Sequence, residues 1–181
     1  ELILLRIGRY FFTLNRESGR SGQMELSVNL TEQKSRIIIE RDAMLHLADY
    51  IDVNCKVMII TDDGVPERYQ KQVLAQCPQG YLHVCRHGEG AKSFPVYQQI
   101  CEKLLQLNFS RKDRILALGG GVIGDLSGFV AATFKRGMKF ASIPTTTLSQ
   151  IDSSIGGKVA VNLGEVKKCD RDLLSSGGSV D

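Results

Sequence analysis

No apolar run in the 181-residue chain reaches the roughly 18 residues that a membrane-spanning helix needs. Nor is one sign of charge in excess. The 23 basic and 20 acidic side chains leave a formal net charge of +3, without the basic face or long basic run of a dedicated nucleic-acid binder. The five cysteines, Cys55, Cys77, Cys85, Cys101 and Cys169, are odd in number, well spread and never in a CxxC pair. That argues against a disulfide framework or a zinc site and for reduced thiols in a cytosolic protein. The three histidines, His46, His83 and His87, do not cluster with them, so no metal site is expected from this chain alone. No internal repeat is visible. What remains, 43% hydrophobic and 24% charged, is the composition of a soluble globular protein of one ordinary domain.

The two ends look unlike the middle. The chain begins at Glu1, and its first methionine is Met24. Residues 1–23 pair an apolar patch with a polar run and lack the basic start, long apolar core and small-residue cleavage site of a signal peptide. From Met24, apolar Leu26, Val28 and Leu30 alternate with Glu25, Ser27 and Asn29, the period of a half-buried strand. The domain is therefore expected to start at Met24, with residues 1–23 a non-domain extension either foreign to it or simply mobile. Residues 168–181 carry neither helical nor strand period.

Between them, strand and helix signals alternate. Ser35–Glu40, Lys56–Thr61, Tyr81–Cys85, Arg114–Leu118 and Lys139–Ile143 predict strands, the second and fourth continuously apolar, as strands buried on both faces are. Ala43–Ile51, Pro66–Gln76, Val96–Leu107 and Asp125–Lys135 predict helices from apolar residues at helical spacing. That order implies a mostly parallel α/β sheet covered by helices.

Eleven of the 18 glycines lie from Gly119 onward, and glycine serves where backbone must approach a ligand closely. Gly119, Gly121 and Gly124 spell GxGxxG between a strand and a helix, a place where amides and the helix dipole receive a pyrophosphate. The pattern alone is weak. The dinucleotide fingerprint also wants an acid about 20 positions later, and none lies between Asp125 and Asp152; a tight strand-to-helix turn would look the same. Asp125 is either a stabilising carboxylate at the helix start or a ligand contact. A second motif, PTTTLSQIDSSIGGK from Pro144 to Lys158, is dense in hydroxyls. Burying it calls for a polar ligand, and a solvated loop is the bland alternative.

These two segments, LGGGVIGDLSGFVAATFKRG and IPTTTLSQIDSSIGGKVAVNLGEVK, closely resemble the 3-dehydroquinate synthase family, and the resemblance spans Met24 to Lys167. It implies a Rossmann-like NAD-binding α/β domain of the dehydroquinate synthase-like superfamily over residues 24–167. The helical domain that follows in the family, with a glutamate and two histidines for a zinc or cobalt ion, is expected to be missing from this chain. Matching the family's motifs gives a cofactor set of Asp62 for the adenosine ribose, Gly88, Glu89 and Lys92 of a G-E-x-x-K element, Gly120, Gly121, Val122, Ile123, Gly124 and Asp125 of the phosphate turn, and Thr145, Thr146 and Leu148. Lys158 and Lys167 match lysines facing the nicotinamide and substrate. Asp152, Lys158 and Arg136 match residues that orient the substrate and offset its charge. One departure is local: many relatives have glycine near Asp42, where a turn is expected.

The resemblance further implies conversion of 3-deoxy-arabino-heptulosonate 7-phosphate to 3-dehydroquinate and phosphate in the shikimate pathway, with NAD and a divalent metal doing the hard chemistry; this chain, as an N-terminal fragment, is expected to be inactive alone. Two other activities suit the same motifs: another sugar-phosphate cyclase or glycerol dehydrogenase-like alcohol dehydrogenase, and a non-catalytic NAD-binding fragment. The segment DSSIGGKVAVN favours a cyclase. The expected partners are a phosphorylated sugar acid and, for assembly, a second copy in a homodimer, with no nucleic acid and no membrane; the expected compartment is the cytoplasm. Residues 168–181 are expected to be an out-of-frame tail. Deleting one adenine from a back-translation that starts at Lys167 yields KNAIGTFYHPEAVL, which resembles the family's K-N-x-I-G-x-F-Y-x-P.

Overall fold

The computed structural model describes residues 2–7, 14–18, 24–29, 34–153, 160–163 and 166–170. The apolar runs become the centre of a sheet. Strand β5 (Lys56–Asp62) and strand β7 (Arg114–Gly119) lie side by side in parallel, from Val57 opposite Arg114 to Thr61 opposite Leu118. Both are buried on both faces, with Met58, Ile59, Ile60, Ile115, Leu116 and Leu118 fully inaccessible. Strand β6 (Gln79–Cys85) pairs in parallel outside β5, and β8 (Lys139–Pro144) outside β7.

The other half of the sheet is antiparallel. β1 (Leu2–Ile7), β2 (Leu14–Ser18), β3 (Met24–Asn29) and β4 (Lys34–Arg41) complete eight strands in the order β2-β3-β4-β1-β8-β7-β5-β6. The mostly parallel sheet expected from strand–helix alternation is thus parallel only across β8-β7-β5-β6. Residues 2–7 and 14–18, set apart from the domain by their sequence, take places in the sheet. β1 covers the edge of β8, pairing Arg6 with Ser142 and Ile7 with Ala141, where an open edge would leave backbone donors and acceptors unpaired. A separate hairpin joins β9 (Ala160–Leu163) to β10 (Val166–Asp170). Residues 168–170, without strand period in the sequence, therefore carry backbone pairing, which side-chain pattern does not control; residues 171–181 lie outside the described residues.

Helices cover the two faces of the parallel half. Helix α2 (Phe94–Gln106) and helix α3 (Gly121–Thr133) close one core, with Ile100, Leu104, Ile123, Leu126 and Val130 against Met58, Ile60 and Ile115. Helix α1 (Glu67–Leu74) and the 43–51 segment close the other, with Val73, Met44 and Leu47 against Val57, Ile59 and Leu116. The helix expected over Ala43–Ile51 is instead two short 3₁₀ turns, Ala43–Leu45 and Leu47–Asp49. Gln76 explains the break: its side-chain oxygen accepts from the Leu47 amide at 2.8 Å, and its nitrogen donates to the Met44 carbonyl at 2.8 Å. Those backbone groups no longer need an α-helical partner. Asp42, in the stretch where a turn was expected, enters this segment at φ 60° and ψ 17°, a left-handed conformation that aspartate tolerates better than most residues.

His83 on β6 makes this core sensitive to acid. Burial, helped by the nearby Lys103 ammonium, pushes its imidazole below the ordinary histidine value. The unfolded chain takes up a proton near pH 6.5 that the native chain resists. Stability present above that pH is therefore lost as pH falls below it. Replacing the imidazole in His83→Gln is expected to flatten the urea-unfolding midpoint between about pH 7.5 and 5.5; an unchanged dependence would overturn the assignment.

Candidate functional site

The chain leaves β5 towards β6 on one side, while β7 lies on the other, so the strand order reverses between β5 and β7. Crevices outside the carboxyl ends of strands at such a reversal are the ligand sites of open α/β sheets. Here four segments singled out in the sequence converge. Asp62 ends β5, Gly88–Lys92 follows β6, Gly119 ends β7 with Gly120–Gly121 after it, and Thr145–Thr146 follows β8.

The glycine turn is built for close approach. A side chain on Gly119 would sit 2.8 Å from Ile123 Cβ, so its absence lets α3 pack onto β7. Gly120 occupies the N-cap, and no side chain caps the helix. Its carbonyl accepts the first helical bond, from the Gly124 amide at 3.0 Å, so the three amides before Gly124 precede the intrahelical bonding pattern. An added Cβ at Gly124, Gly88 or Gly90 meets nothing within 4 Å. The backbone at these three positions is open to an occupant.

Asp125 is not the first-turn carboxylate that its place in the sequence suggests: the first turn of α3 holds no acid. It lies one turn further on and pairs with the Lys92 ammonium. Lys92 is only 5% exposed, and its backbone carbonyl accepts from the Asn162 amide at 2.9 Å. The Asn162 side chain donates to Glu89 Oε1 at 3.1 Å. Asp63, next to Asp62, accepts from both the backbone amide and the Nδ1 of His87, at 2.7 and 2.6 Å. These bonds hold its carboxyl below the usual carboxylate range and fasten the loop after β5 to the loop after β6.

On the other side of Asp62 lies a cavity of about 460 Å³, lined by Gly64, Val65, Tyr69, Thr145, Thr146 and Gln150 among others. Asp62 itself accepts from the Gly64 amide at 2.9 Å. The Thr145 amide donates to the Gly119 carbonyl at 3.0 Å, which stitches this loop to the glycine turn. The Thr146 hydroxyl is engaged: it donates to Ser149 Oγ at 2.9 Å, and Ser149 donates back to the Thr146 carbonyl at 2.8 Å. Thr145 is exposed, and Leu148 is 73% exposed.

Other expected residues fall elsewhere. Ile123 is fully buried in the core and Val122 packs against it, so their backbones and not their side chains face the turn. Arg136 follows the far end of α3, about 20 Å along the helix from the glycine turn. It stands at φ 66°. Lys158 lies outside the described residues. Asp152 falls in the turn Ser149–Ser153 and Lys167 in β10. Among the described residues, no three His, Cys, Asp or Glu side chains are grouped to hold a metal ion, and no helix is long and apolar enough to cross a membrane. Asn162 was not foreseen as a site residue. Its signal, one polar side chain at the end of the run Val159-Ala160-Val161, is equally that of an ordinary strand end.

The family model for the 3-dehydroquinate synthase N-terminal region matches residues 82–169. The chain is 43% identical over 145 residues to the 3-dehydroquinate synthase of Latilactobacillus sakei, covering 76% of this chain and 41% of that protein. It is 38% identical over 147 residues to that of Pelagibacter ubique, covering 78% and 40%. The chain thus spans about two fifths of the length of these relatives. Among solved structures, it resembles 2-deoxy-scyllo-inosose synthase complexed with carbaglucose-6-phosphate, NAD+ and Co2+ (TM-score 0.65, 27% identity, 71% of this chain and 36% of that one). It also resembles the 2-epi-5-epi-valiolone synthase of Streptomyces hygroscopicus with NAD+ and Zn2+ (TM-score 0.56, 31% identity, 65% and 33%).

Proposed function

We propose, on the premise that this chain carries the N-terminal region of the 3-dehydroquinate synthase family, that it binds NAD at the carboxyl ends of β5, β6, β7 and β8. The proposed activity is that of a 3-dehydroquinate synthase, acting on 3-deoxy-arabino-heptulosonate 7-phosphate. One observation carries the nucleotide assignment: the open backbone of Gly88 and Gly90 after β6 and of Gly124 in the first turn of α3, on the carboxyl side of the sheet that holds the switch point between β5 and β7. It is a cradle that fits an extended, anionic ligand.

Within that cradle, the amides of Gly121, Val122 and Ile123 would hold the pyrophosphate between Gly120 and Gly124, and Asp62 would accept from ribose hydroxyls. Glu89, Lys92 and Asp125 would order the turn beside them. Thr145 and Thr146 line the adjoining cavity, the exposed Leu148 would meet the cofactor from the same loop, and Lys158 and Lys167 would face the nicotinamide. When bound, NAD+ supplies a reversible hydride acceptor. Asp152, Lys158 and Arg136 are the proposed substrate contacts, the two cations offsetting phosphate and carboxylate charge. The described residues do not furnish a ligand set for zinc or cobalt, so no step is assigned to a metal here. The same proposal classes the whole reaction as a carbon–oxygen (phosphate) lyase of the cytoplasm, assembled as a homodimer. A 3-dehydroquinate synthase is favoured over other cyclases because identity to the former reaches 43% over 145 residues, against 27% and 31% to the solved cyclases.

Isothermal titration calorimetry tests the nucleotide site. A folded 181-residue chain should bind NAD+ saturably at about one equivalent, as an open helix N-terminus beside an acidic strand end predicts. In its presence, the heptulosonate phosphate should raise the melting temperature more than a hexose 6-phosphate does. No heat at millimolar NAD+ from a sample shown to be folded overturns the nucleotide assignment; equal shifts with the two sugar phosphates overturn the substrate.

A further inference from the structure

Asn162 joins parts of the nucleotide cradle that are far apart in sequence. Its amide donates to the Lys92 carbonyl at 2.9 Å, and residues Ser93 and Asn162 form an isolated parallel bridge. Its side-chain nitrogen donates to Glu89 Oε1 at 3.1 Å. That orientation is chemically determined, because a carboxylate accepts only and the amide must turn its NH₂ towards it. The side-chain oxygen is then buried without a donor among the described residues, an arrangement that costs free energy and persists only where something else holds it. The neighbour Val161 supplies one hold, fully buried in the core with Ile123 and Leu126. The other is the turn Glu89–Ala91 and the residue that closes it, Lys92, whose ammonium meets Asp125 on α3. Asn162 stands four residues beyond Lys158 along the chain.

We propose that Asn162 is a positioning residue: it ties the Glu89–Lys92 turn to β9, keeping Lys92 on Asp125 beside the glycine turn. This rests on the nucleotide assignment above. Glu89 and Lys92 lie in a short turn whose internal bonds are few: Ala91 to the Gly88 carbonyl at 3.1 Å, Lys92 to Glu89 at 3.0 Å and Ser93 to Ala91 at 2.9 Å. Gly88 opens the turn at φ 99°, a conformation that glycine takes without steric cost. The Asn162 side chain therefore supplies a restraint from outside the turn.

Two measurements on the 181-residue chain test this. In nucleotide-free protein, Asn162→Ala should speed amide hydrogen exchange at Ala91, Lys92 and Ser93 about tenfold and weaken NAD+ binding by a similar factor, the loss expected for a hydrogen bond to a charged acceptor. Asn162→Asp sets a second carboxylate against Glu89 and should do at least as much. Adding Glu89→Gln restores a donor–acceptor pair in the opposite sense, so N162D/E89Q should recover the exchange protection that N162D loses. Unchanged exchange in N162A overturns the proposal. So does faster exchange with unchanged NAD+ affinity, which leaves Asn162 a structural role only. A wild-type chain that takes up no NAD+ defeats the nucleotide assignment instead. Exchange in N162D against N162D/E89Q then decides the tie alone, and no recovery in the double variant overturns it.

Discussion

Asp125→Ala is expected to lower the stability of this chain by about 3 kcal/mol, the range for removing one partner of a buried ion pair. The side chains of Lys92 and Asp125 are 7% and 22% exposed, so the ammonium left behind would keep its desolvation penalty and lose its counter-charge. Replacing both should be far milder. In Asp125→Ala/Lys92→Met the charge is gone and the thioether follows the path of the lysine stem, so most of the loss is recovered. Urea unfolding of the two single variants and the double completes the cycle. A loss below about 1 kcal/mol in Asp125→Ala would mean that the pair behaves as a surface bridge. The same substitution should weaken NAD+ binding, because it removes a carboxylate from the wall of the cradle and frees Lys92 to move.

Gly119→Ala is expected to cost about 2 kcal/mol, within the usual range for overpacking, and to abolish measurable NAD+ binding. The added methyl would stand 2.8 and 2.9 Å from Ile123 Cβ and Cγ1. Ile123 is fully buried and cannot swing away, so α3 must lift from β7 and carry its N-terminal amides with it. Gly124→Ala is the contrast. Its methyl meets nothing within 4 Å, and alanine is the better residue inside a helix by up to about 1 kcal/mol. That variant should unfold at equal or higher urea concentration while binding NAD+ more weakly, because the methyl takes space left open beside the turn. If both variants bind as tightly as the parent, the glycine turn is a packing device only.

How far the sequence led is clearest at the strands. The apolar runs of β5 and β7 were legible because a strand buried on both faces has no polar alternation to obscure it, and the observed bounds, Lys56–Asp62 and Arg114–Gly119, extend the expected ones by a single residue. The 43–51 segment misled for an equally physical reason. Its apolar residues face the core at helical spacing, but Gln76, remote in sequence, takes the backbone groups that an α-helix would have used. The glycine turn was visible as a pattern, yet its ambiguity could not be lifted locally, because the acid proposed to complement it, Asp62, ends the neighbouring strand β5 and does not follow the turn.

The sequence by itself determined that β5 and β7 are buried on both faces, where the parallel strands run, and that the glycine and hydroxyl motifs stand at strand ends; hydrophobic period and glycine placement are local properties of the chain. Only the tertiary structure decided that Asp125 answers Lys92 and does not cap α3, that Thr146 spends its hydroxyl on Ser149, that Asn162 reaches Glu89, and that Arg136 stands a helix length from the turn. Each of those facts depends on which strand ends the sheet order makes neighbours. That order is set by the summed packing of two cores on opposite faces of the sheet, and no short stretch of sequence contains it.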